Sequence, residues 1–440
     1  MTIKSSPIRP RDRDTIISAL RAGVVPRIGL QHIQVGRQRE IEALLQDIER
    51  IGNGGSSIRF VIGPYGAGKT FFLFLVRQIA LQRKLAVCQA DLAPDRRIHA
   101  TGGQARGLYA ELVRSLATRT APDGGALKNI LESYIQKTAE RAAGSSRAIE
   151  GAIKEGLGDL REMVGGYDFA TVVAAYARGY EEGNDDLQNA ALRWLRGEYS
   201  TKTEARADLG VRTIIDDATF YDGLRLLARF TRLAGFGGLL VCLDELVNLY
   251  KLQHSQARNQ NYEQILRILN DVLQGTTEGI GFILGGTPDT LLDTRRGLYS
   301  YEALQSRLAA NSFAGNGFAD YSGPVVNLPN LTPEELYHLL ERLRDVFAAG
   351  DPERWLLPDE ALHAFMDHCA SRIGEAYFRT PRNTVKAFVD LLAIIEQNSG
   401  ADWRLLLGAV DVAEDRGAAA DHDIIGGEGD PDDELATLRL

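Results

Sequence analysis

Five short runs of consecutive apolar residues stand out along the chain: Ile58 to Ile62, Leu85 to Ala90, Leu239 to Leu243, Ile280 to Leu284 and Val325 to Leu328. Each is rich in branched side chains and bounded by turn-forming residues. An unbroken apolar run of this length, rather than an alternating one, is the pattern of a strand buried on both faces. Most other periodic segments read as helices, among them Phe71 to Ala80, Pro358 to Ile373 and Pro381 to Gln397. Strands separated by helices predict an α/β fold with a parallel sheet. The gap between the second and third strands, Asp91 to Gly238, is 148 residues long, where a single crossover needs only roughly a few tens. A helical insertion is therefore expected, punctuated at Gly124-Gly125, Gly144-Ser145-Ser146 and Gly165-Gly166. After the fifth strand, Thr332 is placed to cap a helix, Pro333 suits its first turn, and Glu335 completes a capping box.

Composition adds little to this picture, but the distribution of charge adds more. The chain has 440 residues, 44% hydrophobic and 25% charged, as in an ordinary globular protein. Its net charge of −9 lies mostly at the C-terminal end: residues 411–440 hold ten acids against Arg416 and Arg439, a net −8, and leave the body at −1. That tail is expected to be disordered. Residues 119–215 carry 13 basic and 15 acidic side chains, so the insertion offers no basic face for nucleic acid by composition. Up to Glu40, eight Lys or Arg face three acids, so any contact to DNA phosphates is expected from this basic arm or from the surface of an assembled ring. No apolar run, the one through Gly237 to Leu243 included, approaches the roughly 20 residues that cross a bilayer, so neither a signal peptide nor a membrane anchor is expected. Cys88, Cys242 and Cys369 are widely spaced among apolar neighbours without a CxxC pair, as reduced core residues of a cytoplasmic protein are.

Chemistry enters at Gly63-Pro64-Tyr65-Gly66-Ala67-Gly68-Lys69-Thr70, between the first strand and a helix beginning near Phe71. In the GxxxxGK[ST] pattern, glycines let successive backbone N–H groups curl around a phosphate at a helix N-terminus. Lys69 is then expected to bridge the β- and γ-phosphates and Thr70 to ligate Mg²⁺. The third strand ends in Asp244-Glu245, the matching Walker B arrangement: Asp244 to hold Mg²⁺ and Glu245 to polarise the attacking water. No NKxD segment follows a late strand, so adenine rather than guanine is the expected base. Thr287, at the end of the fourth strand, is a candidate for orienting the lytic water.

With these motifs the chain resembles the AAA+ superfamily, in the branch near the origin-recognition and STAND ATPases. Gly36-Arg37, within Val35 to Glu40, resembles the upstream motif that helps enclose adenine. The resemblance implies an arginine finger acting on a neighbour's γ-phosphate at Arg307, with Arg295 and Arg296 as competitors, and a sensor 2 arginine at Arg382. At a finer level the chain resembles the ATP-binding protein of BREX phage-defence systems, the BrxD-like family. The likeness runs through Ala19 to Arg27 with Gly29-Leu30, Gly36-Arg37, Gly63 to Phe72, Leu209-Gly210-Val211-Arg212-Thr213, Asp244 to Tyr250 and Asn330 to Leu336, and Gly23-Val24-Val25-Pro26 and Leu209 to Thr213 carry it.

The expected organisation is an arm and first part of an AAA+ core over 1–118, a helical insertion over 119–215, the second part of the core over 216–329, a helical lid over 330–410, and the tail over 411–440. The resemblance implies an ATPase using ATP and Mg²⁺, assembled as a homo-oligomer, with a helicase-like partner and DNA. Two other readings stay open: a STAND-like nucleotide-gated switch, and a loader that binds ATP without needing its hydrolysis.

Overall fold

The computed structural model describes residues 7–142, 151–153, 155–313, 320–379, 381–398 and 400–409. The Gly144-Ser145-Ser146 break and the acidic tail over 411–440 lie outside the described residues. All five expected strands are present: β1 (Ser56–Ile62), β2 (Ala86–Asp91), β3 (Leu239–Asp244), β4 (Ile280–Gly286) and β5 (Val325–Asn327). They form one all-parallel sheet in the order β2-β3-β4-β1-β5. Every residue of β3 and of β4 is buried, which is why these strands read as unbroken apolar runs. In register, Asp91 stands opposite Asp244, and Leu243 opposite Leu284. Because the strands are parallel, their carboxyl ends share one edge. Ligands of open α/β sheets bind outside that edge.

The chain divides into two compact units. The first comprises the described residues of Met1–Glu40, Ile62–Leu75 and Asn327–Gly427. Its core joins the two ends of the sequence: Ile8, Ile16 and Ile33 are buried with Leu336, Leu340, Leu362, Phe365 and Phe388. The helix Pro10–Arg21 is thereby fixed to the helices Pro333–Phe347 and Pro381–Gln397. Arg13 Nε donates to the carbonyl of Phe347 at 3.1 Å, and Arg21 Nε to Asp390 at the surface at 3.0 Å, so two basic residues of the arm are bonded to the helices it packs on. Pro10–Arg21 ends in a Schellman turn: the Gly23 N–H donates to Leu20 O at 3.0 Å and the Val24 N–H to Ala19 O at 2.9 Å. Gly23, at φ +69°, is the left-handed residue this turn requires.

The second unit comprises the described residues of Ile41–Val61 and Val76–Val326 and holds nearly all of the sheet. Between β2 and β3 it carries the helices Gln104–Arg114, Leu127–Ala142, Gly166–Glu182, Asp185–Leu195, Lys202–Leu209 and Phe220–Leu233. Edge-to-face aromatic contacts knit them together, with ring centroids 5.2 Å apart for Tyr134 and Phe230, 5.7 Å for Phe169 and Phe230, and 6.2 Å for Phe169 and Trp194. The buried Asp168 carboxylate accepts from the Arg212 N–H at 3.0 Å and from the Thr213 N–H and hydroxyl at 2.7 and 2.6 Å. This bond set accounts for the Leu209 to Thr213 segment as a structural corner. Among the described residues, no helix is long and apolar enough to cross a membrane.

Candidate functional site

In the first unit, the chain leaves β1 at Ile62 and turns through Gly63 to Gly68 into the helix Lys69–Gln82. Gly66 and Gly68 both have φ +81°, a left-handed conformation that costs residues with a Cβ about 1–2 kcal/mol. Gly63 is constrained differently: a Cβ there would lie 2.7 Å from the carbonyl oxygen of Leu328. Leu328 donates its N–H to Ile62 O at 2.7 Å, so the segment after β5 runs hard against the start of the loop. Closing the turn, Ala67 N–H donates to Pro64 O at 3.2 Å and Phe72 N–H to Gly68 O at 2.9 Å. The Lys69 ammonium donates to Gly63 O at 2.9 Å and Pro64 O at 3.0 Å, which folds it back across the loop. Thr70 and Phe71 are part-buried, with Phe71 packed on the core of this unit, while Tyr65 is 43% exposed. Left-handed glycines, the N-terminus of a long helix and a lysine ammonium form a donor set that fits a polyphosphate.

Two arginines reach this loop within the same unit. Gly36 and Arg37 are consecutive left-handed residues, at φ +59° and +60°. Arg37 Nη2 donates to Ala67 O at 3.2 Å and also to Pro329 O, clamping the phosphate loop to the segment that follows β5. Arg382, in the first turn of Pro381–Gln397, donates from Nη1 to the Tyr65 hydroxyl at 3.4 Å. The capping box is formed as the sequence indicates: the Thr332 N–H donates to Glu335 Oε2 at 2.9 Å and the Glu335 N–H to Thr332 Oγ1 at 3.2 Å.

In the second unit, Asp244 closes β3 and is 3% exposed. Glu245 follows, exposed and at φ +61°, with its N–H donated to Asp244 Oδ1 at 2.9 Å. The Leu246 N–H donates to Gly285 O at 2.9 Å, tying this turn to the end of the neighbouring strand. Thr287 flanks the short helix Pro288–Leu292, its hydroxyl 2.9 Å from that of Thr290. Asp244, Glu245 and Thr287 thus leave adjacent strands at one edge of the sheet.

The three arginines weighed for the trans role differ in their surroundings. Arg307 Nε donates to Asn270 Oδ1 at 2.7 Å and its Nη1 to Ala303 O at 2.8 Å, so its guanidinium lies along its own helix. Arg296 lies over the Tyr250 ring, 5.6 Å from the centroid, and donates to Leu252 O at 3.1 Å. Arg295 is exposed, and its backbone N–H donates to Asp293 Oδ1 at 2.7 Å. That bond, with the Tyr250 hydroxyl donated to Asp293 Oδ2 at 2.9 Å, holds the Asp293 carboxyl below its ordinary range. Reciprocally, the bond to Asp293 raises the Tyr250 phenol. Sequence reasoning did not find the Tyr250–Asp293 pair, because nothing local marks two side chains 43 positions apart.

Among the described residues, no group of three or more His, Cys, Asp or Glu is arranged to hold a metal ion. Mg²⁺ held by one or two protein oxygens plus phosphate oxygens needs no such group, and the Thr70 hydroxyl and the Asp244 carboxylate are donors of the hard-oxygen type it takes. Comparison with curated proteins returns no match. A family model described as BREX system ATP-binding protein BrxC/D matches residues 8–411, and with the phosphate loop and the acidic strand end in place, the chain belongs to that family.

Proposed function

We propose that this protein hydrolyses ATP, and that turnover drives assembly or remodelling of a DNA-associated complex in BREX phage defence, with a homo-oligomer acting beside a helicase-like partner. The observation that carries hydrolysis is the backbone at Glu245. An exposed acid held left-handed directly after a buried aspartate is a local cost of about 1–2 kcal/mol, and such strain gathers at functional sites.

In this reading the Gly63 to Thr70 loop cradles the phosphates and Lys69 offsets their charge. Thr70 and Asp244 are the oxygen donors that would hold Mg²⁺, which would neutralise charge on the phosphate oxygens. Glu245 accepts the proton of the attacking water, and Thr287 orients that water. Gly36 and Arg37 border the base by analogy with the superfamily, Arg382 senses the nucleotide, and Arg307 of a neighbouring copy reaches the terminal phosphate. The intramolecular bonds of Arg307 must be exchanged for that last role, and exposed Arg295 is its competitor. DNA contact is assigned to the assembled surface and the basic arm, mainly through phosphates.

The test is phosphate release and particle size measured on one sample over a range of protein concentrations, with and without duplex or single-stranded DNA. Specific activity is expected to rise with concentration and with DNA, and to fall in Lys69→Ala, Glu245→Gln and Arg307→Ala. Concentration-independent turnover that survives Arg307→Ala would remove the assembly claim. Purified protein that retains ADP and does not turn over would point to a nucleotide-gated switch. Defence activity surviving in Glu245→Gln but not Lys69→Ala would point to a loader that only binds ATP.

A further inference from the structure

The side chain of Arg382 lies between two groups far from it in the chain, Tyr65 on the phosphate loop and Gly23 at the end of Pro10–Arg21. On one edge, Nη1 donates to the Tyr65 hydroxyl at 3.4 Å. On the other, the guanidinium lies over Gly23: a Cβ built there would be 3.2 Å from Nε and 3.5 Å from Nη2. Gly23 is fixed by the Schellman turn that ends Pro10–Arg21, so its backbone offers a rigid and open platform. Tyr65 in turn is a large aromatic on the phosphate loop itself, and 43% of it is exposed. Burial therefore does not account for a tyrosine here. Its hydroxyl contacts a cation that enters from a helix more than 300 positions away.

We propose that Tyr65 and Gly23 form a seat that holds the Arg382 guanidinium beside the phosphate loop, so that Arg382 addresses the terminal phosphate of a nucleoside triphosphate and Tyr65 is its positioning residue. The inference rests on the nucleotide-binding reading of the Gly63 to Thr70 loop. The loop's own N–H groups and Lys69 serve the phosphates nearest the helix N-terminus. In this proposal the cation bonded to the Tyr65 hydroxyl meets the last phosphate of a triphosphate, a group that a diphosphate lacks. At 3.4 Å the Arg382–Tyr65 bond is longer than an ordinary N–H···O bond, and the proposal requires it to shorten when the ligand binds. Pre-positioning a flexible arginine lowers the entropy lost when it engages its ligand. The phenol is thus expected to act on triphosphate affinity and not on the loop's fold.

The experiment is a double-mutant cycle on nucleotide affinity, run in a Glu245→Gln background so that ATP persists, with ATP and ADP as probes and thermal unfolding recorded for every variant. Loss of this long, exposed hydrogen bond predicts that Tyr65→Phe weakens ATP binding about fivefold to tenfold. ADP affinity is expected to stay within about twofold, since the diphosphate makes no contact with the seated cation. Gly23→Ala, which pushes on the other edge of the guanidinium, is expected to act in the same direction. In an Arg382→Ala background, Tyr65→Phe is expected to add nothing, because the residue it positions is gone. Equal weakening of ATP and ADP by Tyr65→Phe, a Tyr65→Phe effect that persists without Arg382, or no loss of ATP affinity in Arg382→Ala would each overturn the proposal. Lys69→Ala separates this from the underlying reading. If it abolishes binding of both nucleotides, the loop reading stands whatever the cycle shows. If it leaves both unchanged, the loop reading falls and the seat falls with it.

Discussion

Glu335 occupies the space that a side chain on Gly36 would need: its Oε1 overlaps the position of a Cβ there, while its Oε2 accepts the Thr332 N–H at 2.9 Å. One carboxylate therefore serves as helix cap and as the wall against which the Gly36-Arg37 turn is pressed. Gly36→Ala must both strain a left-handed position and displace a capping group, a combined cost of about 2–3 kcal/mol. Glu335→Ala removes only the cap and should cost about 0.5–1 kcal/mol. In the double variant the steric conflict is gone, so its destabilisation should be less than the sum of the two. Denaturant unfolding of the three variants measures this, and strict additivity would mean that the two residues do not meet.

The left-handed backbone at Glu245 separates stability from activity. Replacing it with Gly removes the Cβ penalty, and Glu245→Gly is expected to stabilise the fold by up to about 1 kcal/mol. Under the proposed mechanism the same variant loses phosphate release, because no carboxylate remains to take the proton. Glu245→Gln should lose release as well but keep the strain, and hence the stability of the parent. Unfolding midpoints and turnover recorded side by side decide this; a Gly variant that is both less stable and still active would count against the strain and the role together.

The elements that the sequence reveals are those whose cause is local. A strand buried on both faces must be apolar at consecutive positions, so Leu239 to Leu243 and Ile280 to Leu284 announce themselves, and the GxxxxGKT loop carries its glycines where the backbone turns left-handed. The Thr332 to Glu335 capping box is likewise a bond between neighbours. What stays hidden depends on partners far along the chain. That Ile16 is buried with Phe365 and Phe388, or that Arg13 donates to the Phe347 carbonyl 334 positions away, is decided by tertiary packing. The positive φ of Arg37 and of Glu245 is also invisible in residue type, since neither side chain favours it. For the same reason the sequence marks Arg382 as a candidate but gives no sign that Tyr65 and Gly23 are the groups it meets.

Asp168 is the keystone of the Leu209 to Thr213 corner, with one carboxylate oxygen accepting three donors. Asp168→Ala removes the acceptor of two backbone N–H groups and a hydroxyl at a part-buried corner, and should cost about 1–3 kcal/mol. Asp168→Asn keeps one acceptor oxygen and should cost less. Faster amide exchange at Arg212 and Thr213 is the local signature expected of both. Trp194 Nε1 donates to the Thr213 carbonyl at 2.8 Å, so a change in Trp194 emission should accompany the loss. Unchanged exchange at those two amides in Asp168→Ala would show that the corner is held by other contacts.

All three cysteines are buried and free. Burial pushes the thiols of Cys242 and Cys369 up from an ordinary 9.0 to about 12, and moves Cys88 well above the same value. The thiolate is the reactive form, so the folded protein at pH 8.5 should resist alkylation at all three sites and accept it only once denaturant is added. The same shifts set a direction for alkaline stability. A thiol that ionises near 9.0 when unfolded and near 12 when folded supports the folded state fully below pH 9. As pH rises from 9 toward 12, the unfolded chain releases these protons first, and stability falls across that window. A Cys242→Ala and Cys369→Ala double variant should therefore lose less stability than the parent between pH 8.5 and pH 10.5. Parallel pH profiles for the two proteins, or rapid labelling of the native thiols, would contradict the burial that the fold assigns to these side chains.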